Sequence, residues 1–339
     1  MRKLLNTLYV TIPQAYLNKE GETVQVRIEK EIRLRIPIHT LEGIVCVGQV
    51  SMSPALMGFC AERNVGVSFL SEHGRFLARI QGPVQGNVLL RREQYRRADD
   101  DAASTEIARA VLLAKIANCR TSLLRTAREH PSSSLERAAV QLGQSLRLVE
   151  KEESLDSLRG IEGDAARVYF AVFDELIRQQ KEAFFFRRRS RRPPLDNMNA
   201  LLSFLYVLLA HDVASALETV GLDPAVGYLH RDRPGRSGLA LDLMEELRPV
   251  LADRLALTLV NRLQVSDSGF SCSSSGGVAM NDSTRKDVLV AWQSRKQEEI
   301  IHPFLGERVP LGLIPYAQAL LMARYLRGDL DAYPSFFWR

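Results

Sequence analysis

A histidine and several carboxylates lie close together in one stretch of this chain, GYLHRDRPGRSGLALDLMEELRP at positions 227–249. An apolar run ends in His230. A short Arg/Pro/Gly loop follows, and a second apolar run turns acidic at Asp242, Glu245 and Glu246. With a helix from Leu239 onward, Asp242 and Glu245 stand at i and i+3, so both carboxylates share one face. A histidine delivered by the preceding loop can meet that face. Imidazole with carboxylates, and no cysteine nearby, is a donor set for a divalent cation rather than a thiolate centre. The acids have a second explanation, because carboxylates in the first turn of a helix are favoured by its dipole. Taken alone, the stretch leaves both open.

The surrounding elements must be able to position such a site. The chain has 339 residues, of which 46% are apolar, which suffices for two ordinary domains with real cores. Residues 1–90 pattern as strands. Thr23 to Glu29 alternates, with Val24, Val26 and Ile28 on one face, and Ile44 to Val47 is continuously apolar, as in a fully buried strand. Ser53 followed by Pro54 starts one short helix, to Arg63. A turn falls at His73-Gly74, and Gln81 to Gly86 forms the boundary. Residues 91–339 pattern as helices, including a strongly apolar one from Asn199 to Leu217. The expectation is therefore an α+β protein. A small N-terminal antiparallel β domain with one short helix, serving dimerisation, precedes a larger all-α domain that carries the metal site and a DNA-binding surface.

Composition narrows the class. No apolar run reaches 18 residues, so no membrane span is expected. The N-terminus is interrupted by Asn6, Thr7 and Pro13 and patterns as a strand, not a signal peptide. Cys46, Cys60, Cys119 and Cys272 form no CxxC pair and no disulfide framework, which fits a reducing cytoplasm. The net charge of +5 is compatible with nucleic acid.

Three further features belong to the helical part. Glu162 lies between two glycines in Arg159-Gly-Ile-Glu-Gly163, at the expected head of an amphipathic helix. Glycines there would let the backbone pack closely, and the glutamate is either a dipole partner or an inward ligand. Five arginines fall in six positions, Arg187, Arg188, Arg189, Arg191 and Arg192. Guanidinium suits phosphate, so this run is either a solvated loop or a nucleic-acid backbone contact. Tyr206 lies in the apolar helix and needs a partner for its hydroxyl.

Several long motifs occur in one order along the chain: the RGIEG segment at 159–163, RRPPLDNMNALLSFLY at 191–206, GLDPAVGYLH at 221–230 and LALDLMEELRP at 239–249. In these the chain resembles the CRISPR-associated integrase known as CRISPR-associated protein one, the larger subunit of the spacer-acquisition machinery. The ending AYPSFFWR and the run after Arg191 look most like the type I-C branch.

The resemblance implies metal ligands at Glu162, His230 and Glu245, with Asp242 as a neighbouring acid and Tyr206 beside the active site. All five are the expected catalytic residues. Arg159 matches the arginine before the glutamate and Arg248 a helix arginine that balances the acids; with the arginine run, both are expected at the DNA. The implied cofactor is Mg2+ or Mn2+, with manganese the better match to a histidine ligand. The implied activity joins 3′-hydroxyl ends of a DNA fragment to a CRISPR repeat by transesterification, with hydrolysis when water replaces the hydroxyl. The implied partners are double-stranded DNA, a second copy in a homodimer, and the small dimeric CRISPR-associated protein two, with no membrane. Two other readings use the same residues: a stand-alone metal-dependent DNA or RNA nuclease, and a non-catalytic DNA-binding scaffold whose acids only cap helices.

Overall fold

Strand Gly43–Val47 is buried at every position, and alternate residues enter different cores. Val45 and Val47 pack with the helices of the second half, while Ile44 and Cys46 pack inside the N-terminal region. That is the period of two of a strand covered on both faces. The computed structural model describes residues 7–29, 31–71, 76–80, 82, 88–231, 233–274 and 276–338. The expected turn at His73-Gly74 and most of the expected boundary at 81–86 lie outside them.

The N-terminal region contains β1 (Thr7–Val10), β2 (Tyr16–Glu20), β3 (Thr23–Ile28), β4 (Glu31–Pro37), β5 (Gly43–Val47), β6 (Ser51–Met52), α1 (Pro54–Glu62), β7 (Gly66–Leu70) and β8 (Phe76–Ile80). They form two four-stranded sheets, ordered β1-β5-β7-β8 and β4-β3-β2-β6. The β2-β3-β4 meander is antiparallel, as expected. The other sheet differs in strand sense: β1 with β5 and β5 with β7 run parallel. A parallel pair needs a crossover, and α1 supplies it between β5 and β7. Ser53 caps α1 by accepting from the Leu56 N–H at 3.2 Å, with Pro54 at the first helical position.

From Val88 onward the structure is mainly helical: α2 (Val88–Asp99), α3 (Asp101–Glu129), α4 (Ser133–Lys151), α5 (Leu155–Ala171), α6 (Asn197–Thr219), α7 (Gly238–Leu247), α8 (Arg254–Asn261), α9 (Asp282–Gln297) and α10 (Ile314–Leu326). Two small hairpins interrupt it, β9 (Phe270–Cys272) with β10 (Val278–Met280), and β11 (Glu299–Ile301) with β12 (Arg308–Pro310). By length and composition α6 could cross a bilayer, but it is largely buried inside the protein as a core helix. The 29-residue α3 packs along α4, α5 and α7. Between α7 and α8, Arg248–Asp253 forms a π-helical turn. Pro249 lies in it; lacking an N–H, it cannot sustain the α ladder, and the wider turn absorbs the break.

Polar contacts join the halves, among them the Arg79–Glu218 ion pair at 2.6 Å. Ser68 Oγ on β7 lies 2.7 Å from His211 Nδ1 on α6, so this half-buried histidine has a partner. Gln293 of α9 donates to the Thr7 carbonyl of β1 at 3.0 Å.

Candidate active site

Glu162 is not at a helix head. Helix α5 begins at Leu155, capped by Ser154, and Glu162 sits mid-helix. The flanking glycines are not packing against anything: a Cβ on Gly160 or Gly163 would meet no atom within 4 Å. They leave the helix surface on either side of Glu162 smooth and open.

The acids of α7 are not at its N-terminus either. No acid occupies its first turn, and Glu245 and Glu246 lie in its last turn, where the helix dipole disfavours carboxylates. The dipole explanation for these acids therefore fails, as does their reading as helix caps. Glu245 is 2% exposed and Glu246 fully buried, so both need counter-groups.

Glu245 finds two cations. Arg248 Nη1 lies 2.6 Å from its Oε1, and Lys115 Nζ of α3 lies 2.7 Å from its Oε2. Lys115 also pairs with Glu162. One ammonium thus bridges carboxylates from two helices. Burial alone would raise the Glu245 pKa, but Arg248, Lys115 and the nearby His230 outweigh it and bring it down to about 2. Burial alone would lower the Lys115 pKa, but Glu245 and Glu162 lift it above the ordinary value, so Lys115 stays charged.

Asp242 lies one helical turn before Glu245, and its carboxylate is fully committed. It accepts from the backbone N–H groups of Tyr228, Leu229 and His230 at 2.6, 3.0 and 2.9 Å. The same carboxylate meets His230 Nδ1 at 2.7 Å. The loop approaches α7 this closely because of two glycines. A Cβ on Gly227 would fall 2.5 Å from the Gly238 carbonyl carbon, and one on Gly238 would fall 2.7 Å from the carbonyl oxygens of Ala225 and His230. Asp242 thus holds both the loop backbone and the ring of His230. With Nδ1 held by Asp242, Nε2 is the ring nitrogen left for a ligand.

Tyr206 is also placed behind the acids. Its hydroxyl donates to Asp253 at 2.7 Å, and Tyr169 donates to the other oxygen at 3.1 Å. The Tyr206 ring lies under Arg248, 4.9 Å from the guanidinium carbon, and under Arg189 at 5.2 Å. Tyr206 thus supports Arg248, which holds Glu245, and its hydroxyl is not turned to the acid pair.

The arginines divide. Arg159 donates to the Leu229 carbonyl at 3.0 Å and to Asp156 at 2.6 Å, tying α5 to the histidine loop. Arg248 is half-buried on Glu245. Arg189 donates to Asn199 at 2.7 Å and Ser203 at 3.1 Å, both on α6. In all three the guanidinium group has partners inside the protein. Arg187, Arg188, Arg191 and Arg192 are exposed.

Among the described residues, no three histidine, cysteine or acidic side chains converge tightly enough to cage an ion. The donor chemistry nevertheless fits a hard divalent cation: two carboxylates already share one cation, the Lys115 ammonium, and an imidazole with one anchored nitrogen stands near Glu245. Sequence patterning does not single out Lys115 or Asp253. Their signals are a lysine inside the apolar run VLLAKIA and an aspartate inside VLADRLAL.

This architecture is shared with chains of known structure. A chain solved as "Casposase bound to integration product" matches with a TM-score of 0.85 at 20% identity, over 98% of this chain and 94% of that one. A chain of a "Cas6-RT-Cas1--Cas2 complex" matches with a TM-score of 0.83 at 21% identity, over 98% of this chain and 36% of that one. These likenesses define the fold class. In sequence, the family profile described as "CRISPR associated protein Cas1" matches residues 8–294. "CRISPR-associated endonuclease Cas1 1" of Chlorobaculum tepidum is 52% identical over 343 residues, covering 100% of both chains. The chain belongs to the Cas1 family of CRISPR-associated endonucleases.

Proposed function

We propose that this Cas1 protein is a metal-dependent integrase of CRISPR adaptation that joins the 3′-hydroxyl ends of a DNA fragment to a CRISPR repeat. The observation that carries the reading is the meeting of Glu162 from α5 and Glu245 from α7 at one cation, with His230 fixed beside them by Asp242. Glu162, Glu245 and His230 Nε2 would hold Mg2+ or Mn2+. Such an ion, when bound, supplies Lewis-acid polarisation of the target phosphate and lowers the pKa of the attacking hydroxyl.

The chain's own groups do the rest. Arg248 neutralises the second oxygen of Glu245, and Asp242 keeps the imidazole oriented. The open helix surface around Glu162, cleared by Gly160 and Gly163, gives a phosphodiester backbone room to approach. In each half-reaction the fragment's 3′ oxygen bonds to the phosphorus at the repeat's border as the 3′ oxygen of the flanking nucleotide leaves. One phosphodiester replaces another, so no nucleotide cofactor is required. Water in place of the hydroxyl gives the nuclease activity.

Partners follow from the same reading. Exposed Arg187, Arg188, Arg191 and Arg192 suit duplex phosphates. Edge strand β4 exposes Ile32 and Leu34 at 48% and 40%, a surface for a second copy in a homodimer. Association with the small Cas2 partner, a cytoplasmic setting and the type I-C branch complete the proposal. The free cysteines suit a reducing compartment.

The test is strand joining. The protein, with Cas2, is mixed with a supercoiled plasmid carrying a CRISPR repeat, a labelled duplex with free 3′-hydroxyls, and Mn2+ or Mg2+. Wild type should transfer label to the plasmid only with metal, and Glu162→Ala and His230→Ala should not. Nicking without transfer would favour a stand-alone nuclease; joining by either variant at the wild-type rate would refute the site.

A further inference from the structure

We infer that Lys115 is the site's own counter-cation, holding Glu162 and Glu245 together when no divalent ion is bound and leaving them when one enters. This rests on the metal-dependent reading above and deepens it.

Lys115 is unusual in its setting. It is 9% exposed on α3, between Ala114 and Ile116, which are both buried. A lysine stem of this length is ordinarily directed to water. Here the ammonium ends on two carboxylates from two different helices, α5 and α7. Glu245 divides its oxygens, Oε1 to Arg248 and Oε2 to Lys115, so each oxygen has its own cation. Among the described residues, the ion pair of Glu162 is with Lys115 alone.

The formal charges show why the ammonium and a metal exclude one another. The two carboxylates, Arg248 and Lys115 together are neutral, so a divalent ion approaching that cluster meets little net attraction. Without the ammonium the same carboxylates and Arg248 carry one negative charge. A divalent ion there brings these three groups to one positive charge, which the Asp242 carboxylate behind His230 balances. Geometry agrees: a hard cation needs the carboxylate oxygens at about 2.0–2.1 Å for magnesium, and the ammonium already sits against one oxygen of each acid.

The purpose of the bridge also follows. Without Lys115 only Glu245 would keep a cation, Arg248, and the two carboxylates would repel. The lysine keeps their carboxylates at one point in the metal-free protein, so the ligands are in place before the ion arrives.

The test is Mn2+ binding by isothermal titration calorimetry, with wild type, Lys115→Met, Lys115→Arg and Glu162→Gln. Competition predicts that Lys115→Met binds Mn2+ at least ten-fold more tightly than wild type and that Lys115→Arg binds more weakly. Equal or weaker binding by a folded Lys115→Met, checked by circular dichroism, overturns the inference. If wild type binds no Mn2+, or Glu162→Gln binds it equally well, the metal reading itself fails and takes the inference with it. A second measurement serves where Lys115→Met does not fold. Wild type is acetylated with an N-hydroxysuccinimide ester and the Lys115 peptide is followed by mass spectrometry. Mn2+ should speed Lys115 labelling several-fold and leave Lys181 unchanged. Labelling of Lys115 that is unchanged or slowed by Mn2+ overturns the inference.

Discussion

His230 Nδ1 lies 2.7 Å from Asp242 Oδ1, and the same carboxylate receives three consecutive backbone N–H groups from the histidine loop. One buried acid thus fixes both the path of the loop and the orientation of its imidazole. Asp242→Asn replaces an acceptor oxygen by an NH2 group facing N–H donors. Hydrogen bonds to charged groups contribute about 1.5–3 kcal/mol each. The substitution should lower stability by about 2 kcal/mol or more and reduce strand joining at least ten-fold. Urea unfolding and the plasmid assay measure the two effects. A variant with wild-type stability and activity would show that Asp242 does not position His230.

Two buried acids should make stability fall as pH rises. Burial pushes Glu246 up to about 7, against hydrogen bonds from Tyr333, the Phe336 N–H and Gln318. Burial likewise pushes Asp253 up to about 6, against Tyr206 and Tyr169. An acid whose folded pKa is raised contributes its stability fully below its unfolded pKa, and that contribution is lost as pH rises through the folded value. The window runs from about pH 4 to pH 8, and at about 1.4 kcal/mol per pH unit the loss is of order 3 kcal/mol for each group. His211 and His302, whose pKa values are lowered by burial, slope the other way, so the measurement is the difference from wild type. Glu246→Gln and Asp253→Asn should each gain stability relative to wild type between pH 5 and pH 8. Urea midpoints at both pH values decide it; parallel profiles would refute the assignment.

The arginine run should separate into two behaviours. Arg189→Ala removes donors to Asn199 and Ser203 and should lower the melting temperature while leaving the salt dependence of duplex binding unchanged. Replacing exposed Arg188, Arg191 and Arg192 by alanine should leave stability within about 0.5 kcal/mol. It should also flatten the slope of log K against log salt by about 0.9 for each phosphate no longer neutralised. Fluorescence anisotropy at four salt concentrations measures this, and an unchanged slope places that patch off the DNA.

Gly160 and Gly163 occupy a helix interior with open space where a Cβ would go. Alanine there should stabilise the fold by about 0.8–1.0 kcal/mol per site. Leucine should also fold but cut strand joining, because its side chain would stand where the backbone of the DNA approaches Glu162. Full joining by Gly163→Leu would show that DNA does not approach across this face.

Edge strand β4 supplies a test of the homodimer. Leu34→Glu places a charge on this exposed edge strand and should convert the protein to a monomer with its melting temperature nearly unchanged. Light scattering after size exclusion reads the mass; a variant still dimeric would remove β4 from the interface.

Most of the elements, and the residues able to bear chemistry, are legible in the amino-acid sequence. Alternation in Thr23–Ile28 and the apolar run at Ile44–Val47 give strands without help, because the period of side chains is a local property of the backbone. The i, i+3 spacing of Asp242 and Glu245 likewise puts them on one helix face. What those acids do is set by the folded chain. Asp242 and Glu245 are a turn apart yet meet different partners, one a loop of backbone N–H groups and the other Lys115, 130 positions earlier in the chain. The parallel pairing of β1, β5 and β7 is of the same kind. So is the inward turn of Arg189, which its exposed neighbours in the run do not share. One cause covers all of them. Patterning says which side of an element is buried, but charge pairing and strand sense depend on which distant segment covers that side, and that is set when the core closes.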